Sequence, residues 1–292
     1  MHTYLDCIPC FFRQALETTR LAKLSEEEQR QVLVELGERL SGFSLQSSPP
    51  EMARSLYADI AERAGRDPFK EIRDYSNRQA LDLYPRLKKR VEDSPDPLRT
   101  AVRLAIAGNV IDYGTPGEFD IEEEIEIVLG EEFGVFMFDE FKAALSRSGT
   151  VLYLCDNAGE IVFDRILIEE LQADYPLEIT AAVRGGPVLN DVILEDSRQV
   201  GLDGVCRVIS NGFNAPGTIL SSCSREFSDL YRSSDLIISK GQGNFETLWG
   251  ENEDIFFLFK IKCDVVARHV KGEVGDTVLM ENPNIVSSPV NA

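Results

Sequence analysis

Residues 150–160 read Thr-Val-Leu-Tyr-Leu-Cys-Asp-Asn-Ala-Gly-Glu. Val151–Cys155 is a short apolar run without inside–outside alternation, and polar groups follow it abruptly. An amphipathic stretch, Ile161–Leu171, comes next. The grammar repeats along the chain. Apolar runs at Ile179–Val183, Val205–Ser210, Leu236–Ser239 and Ile255–Ile261 alternate with amphipathic segments at Val192–Val200 and Ile219–Ser233. Strands alternating with helices imply a parallel sheet, and non-alternating strands imply that both its faces are covered. The fold class is therefore α/β: a doubly wound, mostly parallel, Rossmann-like sheet.

Upstream of residue 150 the pattern is helical. Ser25 and Glu28 have capping-box spacing, and Val32, Leu33, Leu36 and Leu40 follow at helical spacing. Pro49, Pro50 and Glu51 suit the first turn of a helix. Helical stretches cover about Asp67 to Arg90 and Pro97 to Val110, and no strand is expected before about Thr150. The expected organisation is a helical region over 1–148 packed on an α/β domain over 149–280. A tail over 281–292, rich in Asn, Pro and Ser, is expected to fray.

Composition narrows the function. There are 50 acidic and 30 basic residues in 292, a net charge of −20. Gripping nucleic acid or an anionic membrane needs the opposite balance, so neither is an expected partner. No apolar run reaches the roughly 18 residues of a membrane span, and no secretory leader is recognisable. A cytoplasmic location is expected, with the six cysteines as thiols. Only His2 and His269 are present, which removes most histidine chemistry.

In open α/β sheets ligands bind beyond the carboxyl ends of the strands. Polar groups collect at each of these ends: Asp156-Asn157-Ala158-Gly159-Glu160, Arg184 to Asp191, Ser210-Asn211-Gly212, Lys240 to Glu246, and Lys262-Cys263. Asp156, Asn157 and Asp191 offer oxygen ligands for a hard divalent ion, but helix capping is the competing reading, since Asn157 and Glu160 have capping-box spacing and Asp191 could cap its own helix. The residues alone leave both readings open. The turn Lys240-Gly241-Gln242-Gly243-Asn244 is either a phosphate cradle or a plain tight turn. Arg184 and Lys262 are further cations able to hold a phosphate, and Lys262 ends an apolar strand where an unpaired charge is costly. Asp156 as a phosphorylated nucleophile fits poorly, because Ala158 stands where such enzymes carry a second aspartate. A metal-activated water, oriented or deprotonated by Asp191 or Glu160, fits better.

Cys7 and Cys10 have CxxC spacing but no second pair to complete a zinc site. Half a metal site, a redox pair and a structural role remain as readings, the last being the simplest. Gly108 to Gly114 either caps a helix or lends Asn109 and Asp112 to the cleft.

Taken in order, these motifs resemble the damage-control phosphatases, formerly domain of unknown function eighty-nine. The Cys7–Cys10 start and the Asn109–Asp112 segment are similar to the archaeal and bacterial single-domain branch. The resemblance runs from about Met1 to Met280 and implies a metal-dependent phosphatase acting on small phosphorylated metabolites. The class includes sugar phosphates and damaged cofactor intermediates. It implies Asp156, Asn157 and Asp191 as ligands of Mn²⁺, Co²⁺ or Ni²⁺, with Mg²⁺ also suitable. Glu160, Arg184, Lys240 and Lys262 fall where the family shapes its phosphate and substrate site; Asn109, Asp112, Ser239, Gly241 and Asn244 are further carry-overs. Two alternatives stand beside it: an S-adenosylmethionine-dependent carboxyl methyltransferase, and a non-catalytic protein that binds a phosphorylated metabolite. One small phosphate needs only a local ion and a few cations, so the acidic exterior does not oppose the phosphatase reading.

Overall fold

The computed structural model describes residues 1–108, 129–130 and 133–283. Helices α1 (Cys7–Leu21), α2 (Glu26–Arg39), α3 (Pro49–Ala64), α4 (Lys70–Glu92) and α5 (Pro97–Ala107) come first. Strand β1 (Val135–Phe136) and helix α6 (Phe138–Arg147) follow. The alternating half contains β2 (Thr150–Leu154), α7 (Glu160–Asp174), β3 (Glu178–Val183), α8 (Leu194–Gln199) and β4 (Arg207–Ser210). It continues through α9 (Arg225–Ser233), β5 (Leu236–Lys240), α10 (Gln242–Leu248), β6 (Ile255–Lys260), α11 (Asp264–Val270) and β7 (Thr277–Glu281).

The local signals act as their chemistry requires. Ser25 and Glu28 close a reciprocal capping box, with the Ser25 N–H donating to Glu28 Oε2 at 2.8 Å. At the start of α3, Glu51 reaches back across the two prolines to accept from the Ser48 N–H at 2.7 Å. Asp96 caps α5 by accepting from the Arg99 N–H at 3.0 Å.

The sheet order is β1-β7-β6-β5-β2-β3-β4. Pairings are parallel except β6 with β7, which is antiparallel. Successive residues of β2 enter opposite cores: Val151 and Tyr153 join α4–α7, while Leu152 and Leu154 join α9–α11. Double winding thus follows from the period of two along a strand. The chain leaves β2 toward β3 and later returns to β5 on β2's other side, so the strand order reverses between β2 and β5. Their carboxyl ends form the crevice.

Two features depart from the sequence-based expectation. A strand precedes residue 150, since β1 pairs with β7 along the far edge. At two residues it is too short to leave a periodic signal. The helical region is also divided. Helices α4 and α5 pack on the sheet, whereas α1–α3 form their own cluster, joined to the sheet domain through Val188 and Leu189. Asn282 follows β7 and is buried, its side chain donating to the Glu251 carbonyl at 2.6 Å. No described helix is long and apolar enough to cross a membrane.

Candidate active site

Asp156 and Asn157 leave the end of β2, and Asp191 lies on the loop after β3. Backbone bonds hold the two segments together: Val192 N–H to Asp156 O at 2.9 Å, and Ala158 N–H to Asn190 O at 2.9 Å. Asn157 and Asp191 form an isolated antiparallel bridge. Neighbouring strand ends therefore deliver the two carboxylates to one place.

Arg184 crosses between them. Its Nε donates to Asp191 Oδ2 at 2.6 Å and its Nη2 to Asp156 Oδ1 at 3.2 Å. Its Nη1 donates to Asn244 Oδ1 at 2.9 Å. The side chain is only 2% exposed. Asn244 is a spacer: its oxygen also accepts from Thr218 Oγ1 at 2.9 Å, and its amide nitrogen donates to the Lys240 carbonyl at 2.8 Å.

A second charged layer lies beneath. Lys240, 0% exposed, donates to Glu160 Oε1 at 2.7 Å, to the Ala105 carbonyl at 2.8 Å and to Asp164 Oδ1. Tyr153 donates its hydroxyl to the same Asp164 oxygen at 2.7 Å. Glu160 Oε2 meets the Asn157 amide nitrogen at 3.2 Å, and that nitrogen also reaches Asp156 Oδ2 at 2.6 Å.

The electrostatics show a shortage of positive charge. Asp156, Glu160, Asp164 and Asp191 are buried, and the buried cations bound to them are Arg184 and Lys240. Segment 109–128 contains no Lys or Arg that could alter this balance. Burial first, then the charges of Asp191 and Glu160, push Asp156 up to about 7 against the pull of Arg184 and Lys262. Burial likewise raises Asp191, with Arg184 opposing. An oxygen-lined site with excess negative charge fits a hard divalent ion. Among the described residues no group of three or more His, Cys, Asp or Glu side chains is arranged to hold a metal. The expected set has two carboxylates and an amide, so its fit rests on this charge excess and on oxygen chemistry.

A family model described as the damage-control phosphatase ARMT1-like domain matches residues 3–278. The chain belongs to this family. It is 34% identical over 286 residues to the damage-control phosphatase of Pyrococcus horikoshii, covering 97% of this chain and 99% of that protein. It is 36% identical over 232 residues to a damage-control phosphatase of Archaeoglobus fulgidus, covering 78% and 80%. The crystal structure of a duf89 family protein from Pyrococcus horikoshii matches with a TM-score of 0.90 at 33% identity, covering 97% of this chain and 99% of that one.

Within this damage-control phosphatase fold the expected site residues fall into groups. Asp156, Asn157, Asp191, Arg184 and Asn244 come together as described. Lys240 and Glu160 lie beneath them, closed off from solvent. Lys240 is fully enclosed with three acceptors, and Glu160 is enclosed beside it, which corrects the expectation of a phosphate cation and a proton acceptor. Arg184, expected to hold a phosphate, is enclosed and braces Asp156 and Asp191. Ser239 is enclosed within β5, its hydroxyl without a hydrogen-bond partner among the described residues. The Gly241 N–H is taken by the Leu258 carbonyl at 3.0 Å, so it is not part of a phosphate cradle. Glycine is needed there for another reason. Its φ is +78°, and a Cβ would lie 2.0 Å from Asp156 Oδ2. Lys262 is exposed, two residues beyond β6, so the burial argument made for it does not hold. Its charge nevertheless reaches both Asp156 and Asp191. Asn109 and Asp112 lie outside the described residues.

Four contributors were missed. Asn77 on α4 accepts from the Gly159 N–H at 2.8 Å and is tied to Asp196 and Gln199. Thr218, Asp164 and Tyr153 complete the layers above. Asp164 carried a readable signal: it stands four residues after Glu160 on the otherwise apolar face of α7, where two acids must share a buried partner.

Cys7 and Cys10 occupy the first turn of α1 as free thiols, and burial raises both.

Proposed function

We propose that this chain is a metal-dependent phosphatase hydrolysing phosphate monoesters of small metabolites, sugar phosphates or damaged phosphometabolites among them. The observation that carries this reading is the pair Asp156 and Asp191, joined with Asn157 at the switch point of the sheet and short of positive charge. The names of the Pyrococcus and Archaeoglobus relatives support the phosphatase class.

Asp156, Asn157 and Asp191 would hold the ion, Mn²⁺, Co²⁺ or Ni²⁺ by preference and Mg²⁺ as an alternative. Once bound, such an ion supplies Lewis acidity and a water acidic enough to act as a nucleophile near neutral pH. Arg184 fixes the separation of the two carboxylates by donating to both. Its buried guanidinium also limits their mutual repulsion. Lys262, exposed yet electrostatically coupled to both aspartates, is placed to offset charge on a phosphoryl group entering from solvent. Asn244 and Thr218 keep Arg184 from turning toward that group.

The methyltransferase alternative lacks support at the turn after β2. That turn carries one glycine, Gly159, whose N–H is already bound by Asn77.

Hydrolysis of p-nitrophenyl phosphate with added Mn²⁺ or Co²⁺ tests the proposal. Asp156→Ala is expected to abolish turnover while the protein stays folded. Unchanged turnover would remove Asp156 from the site, and binding of a sugar phosphate without turnover under any of these ions would favour the non-catalytic alternative.

A further inference from the structure

A carboxamide serves a hard cation only with its oxygen edge, so an asparagine ligand must be held in one of two flip states. In Asn157 the nitrogen edge is claimed by Asp156 Oδ2 at 2.6 Å and by Glu160 Oε2 at 3.2 Å. Both claimants are acceptors, which leaves the oxygen on the other edge. Glu160 is itself enclosed, and a buried carboxylate stays in place only if its charge is met. Lys240 meets it at 2.7 Å. Lys240 has three protons and three acceptors, Glu160, Asp164 and the Ala105 carbonyl, so it has no freedom to swing. Asp164 is fixed in turn by the Tyr153 hydroxyl at 2.7 Å. The series runs from an inward-facing residue of β2 back to Asn157, three residues beyond the end of the same strand.

We propose that Tyr153, Asp164 and Lys240 are positioning residues that act through Glu160 to set the flip state of Asn157, keeping its amide oxygen available to the ion. This rests on the metal reading above. It assigns the buried layer a purpose that phosphate binding does not: polar partners behind a ligand hold its orientation, and losing them characteristically costs 10–100-fold in metal affinity.

The test is calorimetric titration of the metal-free protein with Mn²⁺. Glu160→Gln is nearly isosteric and still accepts from Lys240, but it presents an NH₂ group to Asn157 and favours the opposite flip. The expected result is a roughly 10–100-fold loss of Mn²⁺ affinity, with KM for p-nitrophenyl phosphate at saturating Mn²⁺ unchanged. Asp164→Asn and Tyr153→Phe should weaken affinity in the same direction. Tyr153→Phe is the mild variant should the others unfold. The discriminating background is Asn157→Asp. A carboxylate has no flip state, so adding Glu160→Gln there should cost no further affinity. Equal Mn²⁺ affinity in parent and folded Glu160→Gln or Tyr153→Phe protein overturns the proposal, as does an undiminished Glu160→Gln effect in the Asn157→Asp background. If the parent itself binds none of the four ions, the metal reading fails and the positioning scheme falls with it.

Discussion

Replacing Gly241 by alanine tests the site at its tightest point. Two costs are separable. The backbone sits at φ +78°, ψ 155°, a region essentially restricted to glycine, and forcing another residue into it costs roughly 1–3 kcal/mol. The added Cβ would also lie 2.0 Å from Asp156 Oδ2 and 2.2 Å from its Cγ, where ordinary contact begins near 3.4 Å. The carboxylate must therefore retreat by about 1 Å or more, a displacement of the size that costs on the order of 10²-fold in rate. At about 2–4 °C per kcal/mol for a chain of this size, the backbone cost alone lowers the melting temperature by roughly 2–12 °C. Gly275→Ala is the control: its φ is +102°, and a Cβ there meets nothing within 4 Å. It should lose stability without losing rate. Thermal unfolding followed by circular dichroism, with p-nitrophenyl phosphate turnover under Mn²⁺, reads both quantities. Gly241→Ala retaining turnover within twofold of the parent, or Gly275→Ala losing as much, would refute the placement of Asp156 at the reacting centre.

Two further outcomes are expected. Arg184→Met leaves Asp156 and Asp191 without their shared guanidinium and should cost about 3–5 kcal/mol in denaturant unfolding. Mn²⁺ at 100 times its dissociation constant should return about 2.7 kcal/mol, and a loss below about 1 kcal/mol would show that the arginine does not balance the pair. Burial pushes Glu246 up to about 7, with Gln242, the Met1 amine and Lys262 opposing. A carboxyl that binds its proton more tightly when folded stabilises the fold at low pH, and this contribution fades as pH rises from about 4.5 through about 7. Glu246→Gln should therefore flatten the decline in melting temperature between pH 5 and 8, and an unaltered slope would exclude Glu246 as its source.

The central sheet was readable because its strands are buried on both faces. Between helices, a continuous apolar run such as Ile255–Ile261 is hard to place anywhere but in a covered strand. The edge was not readable. β1 owes its existence to β7 across the sheet, and two residues cannot carry a pattern. At the site, Asp156 and Asn157 were visible as polar residues just past β2, and Asp191 as an acid on the loop that follows β3. The roles of Lys240 and Glu160 were misjudged for a physical reason. A sequence shows that a charge follows a strand, but not whether its side chain turns outward to solvent or inward to a carboxylate on the next helix. Asn77 was invisible in practice, because it reaches Gly159 across 82 positions of chain from the middle of a helix.

The brace formed by Arg184 bears on the life history of the molecule. Arg184 already spans Asp156 and Asp191, so the fold itself sets the places of the two carboxylates. On the proposed metal reading, folding and loading would be separate events, and loading would be an exchange at a finished surface rather than the closing step of folding. Chelation would on that reading leave an intact, refillable protein whose ion content follows the supply around it.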